Sequence, residues 1–294
     1  MPNRLDRGFL KYQDEFEQKA IEVLRSGWYV LGKEVESFEQ EFAAYTGSKY
    51  CVGLASGLDA LWLVTKLEEK ITEKTKAILV VHLYGQASGM DEVVRICKKH
   101  NLKLVEDCAQ SHGACFNGKM TGTFGDIGCF SFYPSKNLGG FGDGGAIVTD
   151  DAKIASDMKM YRNYGSEKRY YNKVVGANSR LDEIQAGLLR VRLSHIQELT
   201  EERLRLAENY TKGIHNSRIK LPKVRPGADS VWHQYVIQCE DRQELIDYLN
   251  QREIGTIIHY PIPPHLSEAY AYLGYHKGSF PITEHDADTV LSIP

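Results

Sequence analysis

Apolar residues recur at helical spacing through the first fifty positions. Phe16, Ala20, Val23 and Leu24 share one face of a helix that Gly27 is placed to end, and Val35, Phe38, Phe42 and Tyr45 mark a second helix closed by Gly47. "YCVGLASGLDALWLVT" then reads as a short strand, a Ser-Gly turn and the start of a helix. From there the pattern alternates. "AILVVHLYG" predicts a buried strand, "MDEVVRICKKHN" a helix with Met90, Val93, Val94 and Cys97 inward, and "LKLVED" a strand with its acidic residues at the C-terminal end. "GCFSF" and "GGAIVTD" add two strands close together. Leu181, Ile184, Leu188 and Val191 keep helical spacing in a region predicted to run from Arg180 to about Gly213. "VWHQYVIQC", the helix "RQELIDYLNQRE" and "TIIHYP" complete a small α+β region.

Continuous apolar strands separated by amphipathic helices argue for an α/β fold with a mainly parallel sheet covered on both faces. Ligands of such sheets gather at the carboxyl ends of the strands, where Asp107 falls. The expected division is a large domain over residues 1–213 and a smaller α+β domain over residues 214–294.

Composition narrows the function classes. The chain has 294 residues, 42% hydrophobic and 26% charged, with a formal net charge of −3, which gives no reason to expect nucleic acid or an acidic membrane as partner. The first twenty residues have no continuous apolar core, and no run approaches a membrane span, so a cytoplasmic location is expected. Cys51, Cys97, Cys108, Cys115, Cys129 and Cys239 form no CxxC pair and lie mostly in apolar neighbourhoods, which predicts buried thiols in a reducing compartment. His82, His112, His233 and His259 match no zinc spacing; core or hydrogen-bonding roles are expected, and no metal.

Three places carry candidate chemistry. Lys136 is a single ammonium in "GCFSFYPSKNLGGFGDGGAIVT", otherwise aromatic, apolar and glycine-rich apart from Asp143. Apolar surroundings disfavour the ammonium and release a nucleophilic amine. Its own window fits a Schiff-base lysine and equally a lysine that snorkels or pairs with Asp143. "ASGLDA" places a Ser-Gly turn at a helix N-terminus, suited to a phosphate or simply an N-cap. Asp107 in "VEDCAQSHGA" stands just past a strand with Gln110 three residues on, where a carboxylate can hold a protonated pyridine nitrogen or cap a helix. Together the three specify pyridoxal phosphate better than any one of them. "GFGDGG" spells GxGxxG but leads into a strand-like run, whereas a dinucleotide fingerprint opens a helix, so nicotinamide chemistry is rejected.

"SGLDAL", "VHLYGQ", "EDCAQSHGA", "FSFYPSKNLGGFGDGGAIVT", "GANSRLDEIQAG" and "HYPIPPH" occur in the order and character of the DegT/DnrJ/EryC1/StrS sugar aminotransferases, and the likeness covers nearly the whole chain. "SGWYVLGKEVESFE" is similar to members acting on dTDP-linked 3-keto-6-deoxyhexoses. The resemblance implies a pyridoxal-phosphate fold of type I, a homodimer with shared active sites, glutamate as amino donor and 2-oxoglutarate as its product. It implies that Lys136 links to the coenzyme and moves the proton, that Asp107 pairs with the ring nitrogen, and that Gln110 meets the phenolic oxygen. Ser131 and backbone amides around Ser56, Gly57 and Leu58 would hold the phosphate, and Asn178 would reach the partner subunit's coenzyme. Tyr260 and His265 are sugar-contact candidates, or parts of a proline-fixed loop.

Two departures accompany the likeness. Leu58 replaces a hydroxyl residue. The family also carries a longer segment between the "DAL" helix and the "VHLYG" strand, with an aromatic that stacks on the coenzyme, and a closing helical region after "SIP". Residues near Leu67–Lys70 and after Pro294 are therefore expected to be omitted, which Cα spacings of ~3.8 Å throughout Thr65–Thr72 would refute. A true internal deletion would favour a binding or sensory protein without turnover. The amination site, C3 or C4, the C4 configuration and the nucleotide, dTDP or UDP, are not fixed by these motifs.

Overall fold

The computed structural model describes residues 4–57 and 77–294. Leu58, the Leu67–Lys70 stretch and the Thr65–Thr72 spacings lie outside the described residues. The chain divides into two compact units, Leu5–Arg203 with Val224–His233, and Leu204–Lys223 with Gln234–Pro294.

In chain order the helices are α1 (Leu5–Lys11), α2 (Gln13–Ser26), α3 (Lys33–Thr46), α4 (Met90–His100), α5 (Ala152–Tyr161), α6 (Glu183–Ser194), α7 (Ile196–Gly213), α8 (Arg242–Asn250) and α9 (Pro281–Thr289). The strands are β1 (Tyr50–Leu54), β2 (Ala77–Val81), β3 (Lys103–Asp107), β4 (Cys115–Phe116), β5 (Lys119–Met120), β6 (Ile127–Ser131), β7 (Gly145–Thr149), β8 (Ser166–Lys168), β9 (Tyr171–Asn172), β10 (Tyr235–Gln238) and β11 (Val290–Ile293).

Helix ends follow local chemistry. α2 and α3 stop where Gly27 and Gly47 take φ of 67° and 78°, the left-handed region that glycine enters without strain. The Asp151 carboxylate starts α5 by accepting from the Lys153 and Ile154 N–H groups. The start of α3 is capped from far along the chain: the Glu183 carboxylate accepts from the N–H groups of Gly32, Glu34 and Val35 at 2.7–2.8 Å. Phe16 and Val23 are buried as their spacing predicts, but Leu24 faces solvent.

The main sheet has the order β1-β7-β6-β3-β2. β3 runs parallel to β2 and β6, while β7 is antiparallel to β6 and β1, so four strands share one direction and β7 opposes them. One face packs Phe130, Phe132 and Val148 against Phe38 and Phe42 of α3 and Leu189 of α6. The other packs Val52, Leu54, Val105, Cys129 and Ile147 against Ala155 and Met158 of α5. The sheet is thus covered on both faces, as its apolar strands require.

Three expectations need correction. β2 is not buried: among the described residues it is the end strand of the sheet, and Leu79 and Val81 are 56% and 44% exposed. A continuous apolar run cannot report whether a strand has a neighbour on both sides. The region from Arg180 to Gly213 is not one helix. It begins at Glu183 and divides at His195, which leaves helical geometry at φ −108°, ψ 5° and stacks on Tyr12 with ring centroids 3.9 Å apart. In the second unit, "TIIHYP" forms no strand; Ile257 makes a single bridge to Ser292 beside the antiparallel β10–β11 pair.

All six cysteines are unpaired and five are buried. Among the described residues no helix is long and apolar enough to cross a membrane.

A buried ion pair ties α3 to β1 and to the residue after α5. Glu39 accepts from the Arg162 guanidinium and from the Gly53 N–H at 2.9 Å, while Arg162 donates to the Gly53 carbonyl at 2.8 Å. Removing one member strands the other charge away from water. Glu39→Ala is therefore expected to cost about 3–5 kcal/mol of unfolding free energy, measured by urea titration. A loss below about 1 kcal/mol would show that Arg162 finds water.

Candidate active site

Side chains alternate between the two faces of a strand. Val52 and Leu54 of β1, Val105 of β3, Cys129 of β6 and Ile147 of β7 point into one core cluster. Continuing that alternation to the carboxyl end of the parallel strands sets Ser56, Asp107, Ser131 and Gly145 on the same face. The segments meet closely there. A Cβ on Gly57 would lie 2.5 Å from the Ser131 Cβ, and one on Gly145 would lie 2.2 Å from the Ser56 carbonyl carbon. Glycine at both positions lets the Ser56–Gly57 backbone sit against Ser131 and β7. The result is a shallow cradle of hydroxyls and backbone.

Lys136 rises from a tight turn beside this cradle. Its N–H donates to the Tyr133 carbonyl at 2.8 Å, and Gly140 N–H returns to the Phe132 carbonyl at 2.7 Å. Burial pushes the Lys136 ammonium below the usual lysine range, and the Asp107 charge opposes part of that shift. The turn is gripped by residues to which sequence reasoning gave no role. Gln185 accepts from the Phe141 N–H at 2.8 Å, and Arg192 donates to the Gly139 carbonyl at 2.5 Å. Asn137, buried beside Lys136, donates from Nδ2 to the Val231 carbonyl at 3.0 Å. Its Oδ1 therefore accepts from His233 Nδ1–H at 3.2 Å. Glu183 and Gln185 lie inside "GANSRLDEIQAG", so the motif was visible although its structural task was not.

Asp107 closes β3, half-buried, and its Oδ1 accepts from the Ala109 N–H at 3.0 Å. Gln110 is buried, and its Oε1 accepts from the Tyr84 N–H at 2.6 Å, which makes Nε2 the donor end of that side chain. Glu106, the neighbour of Asp107, points to the opposite face. It is fully buried and accepts from the Gly122, Phe124 and Gly125 N–H groups and from His82 Nε2–H. Ser88 N–H donates to His82 Nδ1 at 3.0 Å, which fixes the tautomer. His82, Glu106 and Cys108 have ligand-type atoms within 4.8 Å of one another. The Glu106 oxygens already hold four donors, however, and burial pushes the Cys108 thiol well up, so the cluster is an anchor for the loop past β5.

His112 is the site's outlier. It is fully buried against the Phe130 and Phe132 rings at 5.4 and 5.9 Å, and neither ring nitrogen has a properly aligned hydrogen-bond partner. Burial, helped by the Lys136 charge and weakly opposed by the Ser131 backbone, pushes it down to about 3.

Asn178 is exposed, bridged through its backbone to Asn163, and among the described residues no hydrogen bond joins its side chain to the cluster. In the second unit Tyr260 is half-exposed, and His259 shares a hydrogen bond with Ser292 Oγ at 2.8 Å. His265 Nε2 is engaged by Glu284 at 3.0 Å, and that carboxylate also accepts from the Gly278 and Phe280 N–H groups.

A cradle with no room for side chains, a partly desolvated lysine and a strand-end carboxylate are a set of residues that fits pyridoxal phosphate. The comparisons agree. Residues 11–66 and 62–294 match the DegT/DnrJ/EryC1/StrS aminotransferase family. The dTDP-3-amino-3,6-dideoxy-alpha-D-galactopyranose transaminase of Aneurinibacillus thermoaerophilus is 43% identical over 332 residues, covering 97% of this chain and 91% of the relative. The dTDP-3-amino-3,4,6-trideoxy-alpha-D-glucose transaminase of Streptomyces venezuelae is 39% identical, covering 99% and 89%. The crystal structure of S. venezuelae DesV in complex with a ketimine intermediate superposes with a TM-score of 0.95 at 39% identity, covering 99% of this chain and 91% of that one.

The chain belongs to the DegT/DnrJ/EryC1/StrS aminotransferases, a family that depends on pyridoxal phosphate. Within the matched range it is shorter than its relatives, since the 332-residue alignment exceeds its 294 residues, and the family match divides at positions 62–66.

His112 gives a pH test. Its folded value lies below the ordinary 6.5, so the unfolded chain binds the extra proton first as pH falls. The native state should lose about 1.4 kcal/mol per pH unit from this group between pH 6.5 and about 3. His112→Phe is expected to flatten that slope in urea titrations across the range. An unchanged slope would assign the acid sensitivity elsewhere.

Proposed function

We propose that the chain transfers an amino group from glutamate to the C3 keto carbon of a dTDP-linked 3-keto-6-deoxyhexose, releasing 2-oxoglutarate, as a cytoplasmic homodimer with shared active sites. The observation that carries the reading is Lys136, its ammonium disfavoured by burial, on a turn that follows the strand whose last residue, Ser131, meets Gly57 and Gly145. The dTDP-sugar substrate draws on the names of the Aneurinibacillus and Streptomyces relatives. The dimer draws on exposed aromatic residues of the first unit, Trp28, Tyr29, Tyr133 and Tyr164, the last joined by its N–H to Ala177 beside Asn178. Unpaired cysteines accord with a reducing compartment.

The chain's own groups divide the work. Ser131 with the Ser56–Gly57 backbone would hold the phosphate, and Asn178 would reach across to the partner's coenzyme. Asp107 would keep the ring nitrogen protonated. Gln110, with Oε1 already committed to Tyr84, would donate through Nε2 to the phenolic oxygen. Lys136 Nζ, whose ammonium burial disfavours, would take the proton from the donor's α-carbon and deliver a proton to the sugar's C3 in the reverse half-reaction. The bound coenzyme supplies a conjugated ring that takes up the electron pair left behind. Tyr260 and His265 stand as sugar-contact candidates, although His265 would first have to release Glu284.

A second reading, a coenzyme-holding regulatory protein without turnover, draws on the shortened segment between Gly57 and β2 and on the 40%-identical relative named "Erythromycin biosynthesis sensory transduction protein EryC1". The purified chain with pyridoxal phosphate should be yellow, bleach with borohydride, and aminate one sugar from a panel of 3- and 4-keto dTDP and UDP hexoses. A yellow protein that converts none of them supports the second reading. Lys136→Ala should lower turnover at least about a thousandfold, and wild-type rates in that variant would overturn the assignment.

A further inference from the structure

Two bulky residues stand in the left-handed region on either side of one backbone crossing. Tyr84 has φ 60° and Trp232 φ 47°, where glycine or asparagine is favoured and a large side chain costs stability. Between them residues 85–87 and 229–231 pair antiparallel. Val231 N–H donates to the Gly85 carbonyl at 2.8 Å, Ala87 N–H to the Asp229 carbonyl at 3.2 Å, and Gln86 bridges Ser230. The crossing is tight: a Cβ on Gly85 would lie 2.7 Å from the His233 nitrogen and 3.1 Å from the Gln110 carbonyl oxygen. Strained backbone of this kind persists only where surrounding contacts over-determine it, and it gathers at working sites.

Both strained residues lead to groups of the candidate site. On one side the Tyr84 N–H holds Gln110 Oε1 at 2.6 Å. On the other, Arg203 fixes the Trp232 turn by donating to the Trp232 and His233 carbonyls at 3.2 and 3.4 Å. That turn sets His233 Nδ1 3.2 Å from Asn137 Oδ1, while Asn137 Nδ2 donates to the Val231 carbonyl at 3.0 Å. Asn137 is 5% exposed and follows Lys136 directly in the chain. An unbroken series of hydrogen bonds and chain steps therefore runs from Gln110 through Tyr84, Gly85, Val231 and Asn137 to Lys136.

We infer that Asn137 and His233 are positioning residues, which set Lys136 at the reach and angle needed to meet a coenzyme whose phenolic side Gln110 holds. The inference rests on the proposed coenzyme roles of Lys136 and Gln110. A lysine's four-carbon stem is flexible and supplies no direction of its own, so direction must come from the backbone beneath it. Asn137 commits both ends of a buried amide to the strap that also reaches Gln110. A turn that needed only to fold would be served by its own backbone bonds.

The test mixes the coenzyme-free full chain with pyridoxal phosphate and follows growth of the visible band of the lysine-linked form. The limiting rate reports the alignment of Lys136, and the half-saturating concentration reports the binding that precedes it. Asn137→Ala and His233→Phe should each lower the limiting rate about tenfold to a hundredfold while moving half-saturation less than about threefold. His233→Gln, which keeps an N–H donor, should recover most of the rate. Asn137→Ala combined with Gln110→Ala should lose less than the product of the two single losses, because one alignment is broken twice. Thermal melts of the coenzyme-free variants give the folded fraction. A wild-type limiting rate in Asn137→Ala, a loss that tracks only the folded fraction, or multiplicative losses in the double variant each overturn the inference. Glutamate added to the loaded wild-type chain tests the underlying reading separately. A chain that forms the link yet does not react with glutamate refutes the proposed transfer, and the positioning role is then decided by the link rates alone. A wild-type chain that forms no link refutes both.

Discussion

The close approach of backbone at the carboxyl end of the sheet is the constraint on which the site depends. β7 runs against its neighbours, so its first residue, Gly145, arrives where β1 and β6 end. There is no space for a side chain on Gly145 or Gly57, because Ser56 and Ser131 occupy it. Side-chain volume at either position would push apart the segments that set Lys136 and the phosphate-facing groups side by side. The antiparallel strand, an irregularity in an otherwise parallel sheet, is what brings that glycine to the site.

A second layer of contacts keeps the arrangement from loosening. Gln185, Arg192 and Asn137 each hold a different part of the Lys136 turn, reaching it from α6 in the first two cases and to Val231 in the third. Glu183 ties the start of α6 to the start of α3. The helix that packs Ala186 and Leu189 into the core therefore also clamps the Lys136 turn. Movement of α6 would be felt at Lys136 through two hydrogen bonds, without any contact to substrate.

Much of this was legible from the residues. Helix ends marked by Gly27 and Gly47, the strand carrying Asp107, and the turn around Lys136 follow from local chemistry, which short windows report well. Relations between distant segments were not legible. The exposure of β2 depends on its place at the sheet's end, and the break at His195 depends on a ring stacked from Tyr12. Glu183 and Gln185 sat in a quoted motif, but which backbone amides they cap is decided by a helix about 150 residues earlier and a loop about 40 residues earlier. His265 is a candidate from its motif alone, and its hydrogen bond to Glu284, 19 residues on, was not legible.

Glu106 and Asp107 are chemically near-identical neighbours, yet one holds four donors in the dry interior and the other lies half-buried on the opposite face, beside Ser131 at the strand ends. Only the pleat of β3 tells them apart. A shift of one residue in the pairing of β3 with β6 would turn every side chain over, exchanging the faces on which Glu106 and Asp107 stand. The strand is thus read in phase, and a single-residue insertion between Lys103 and Glu106 that slipped both carboxylates by one place would exchange them while leaving composition and motif almost untouched.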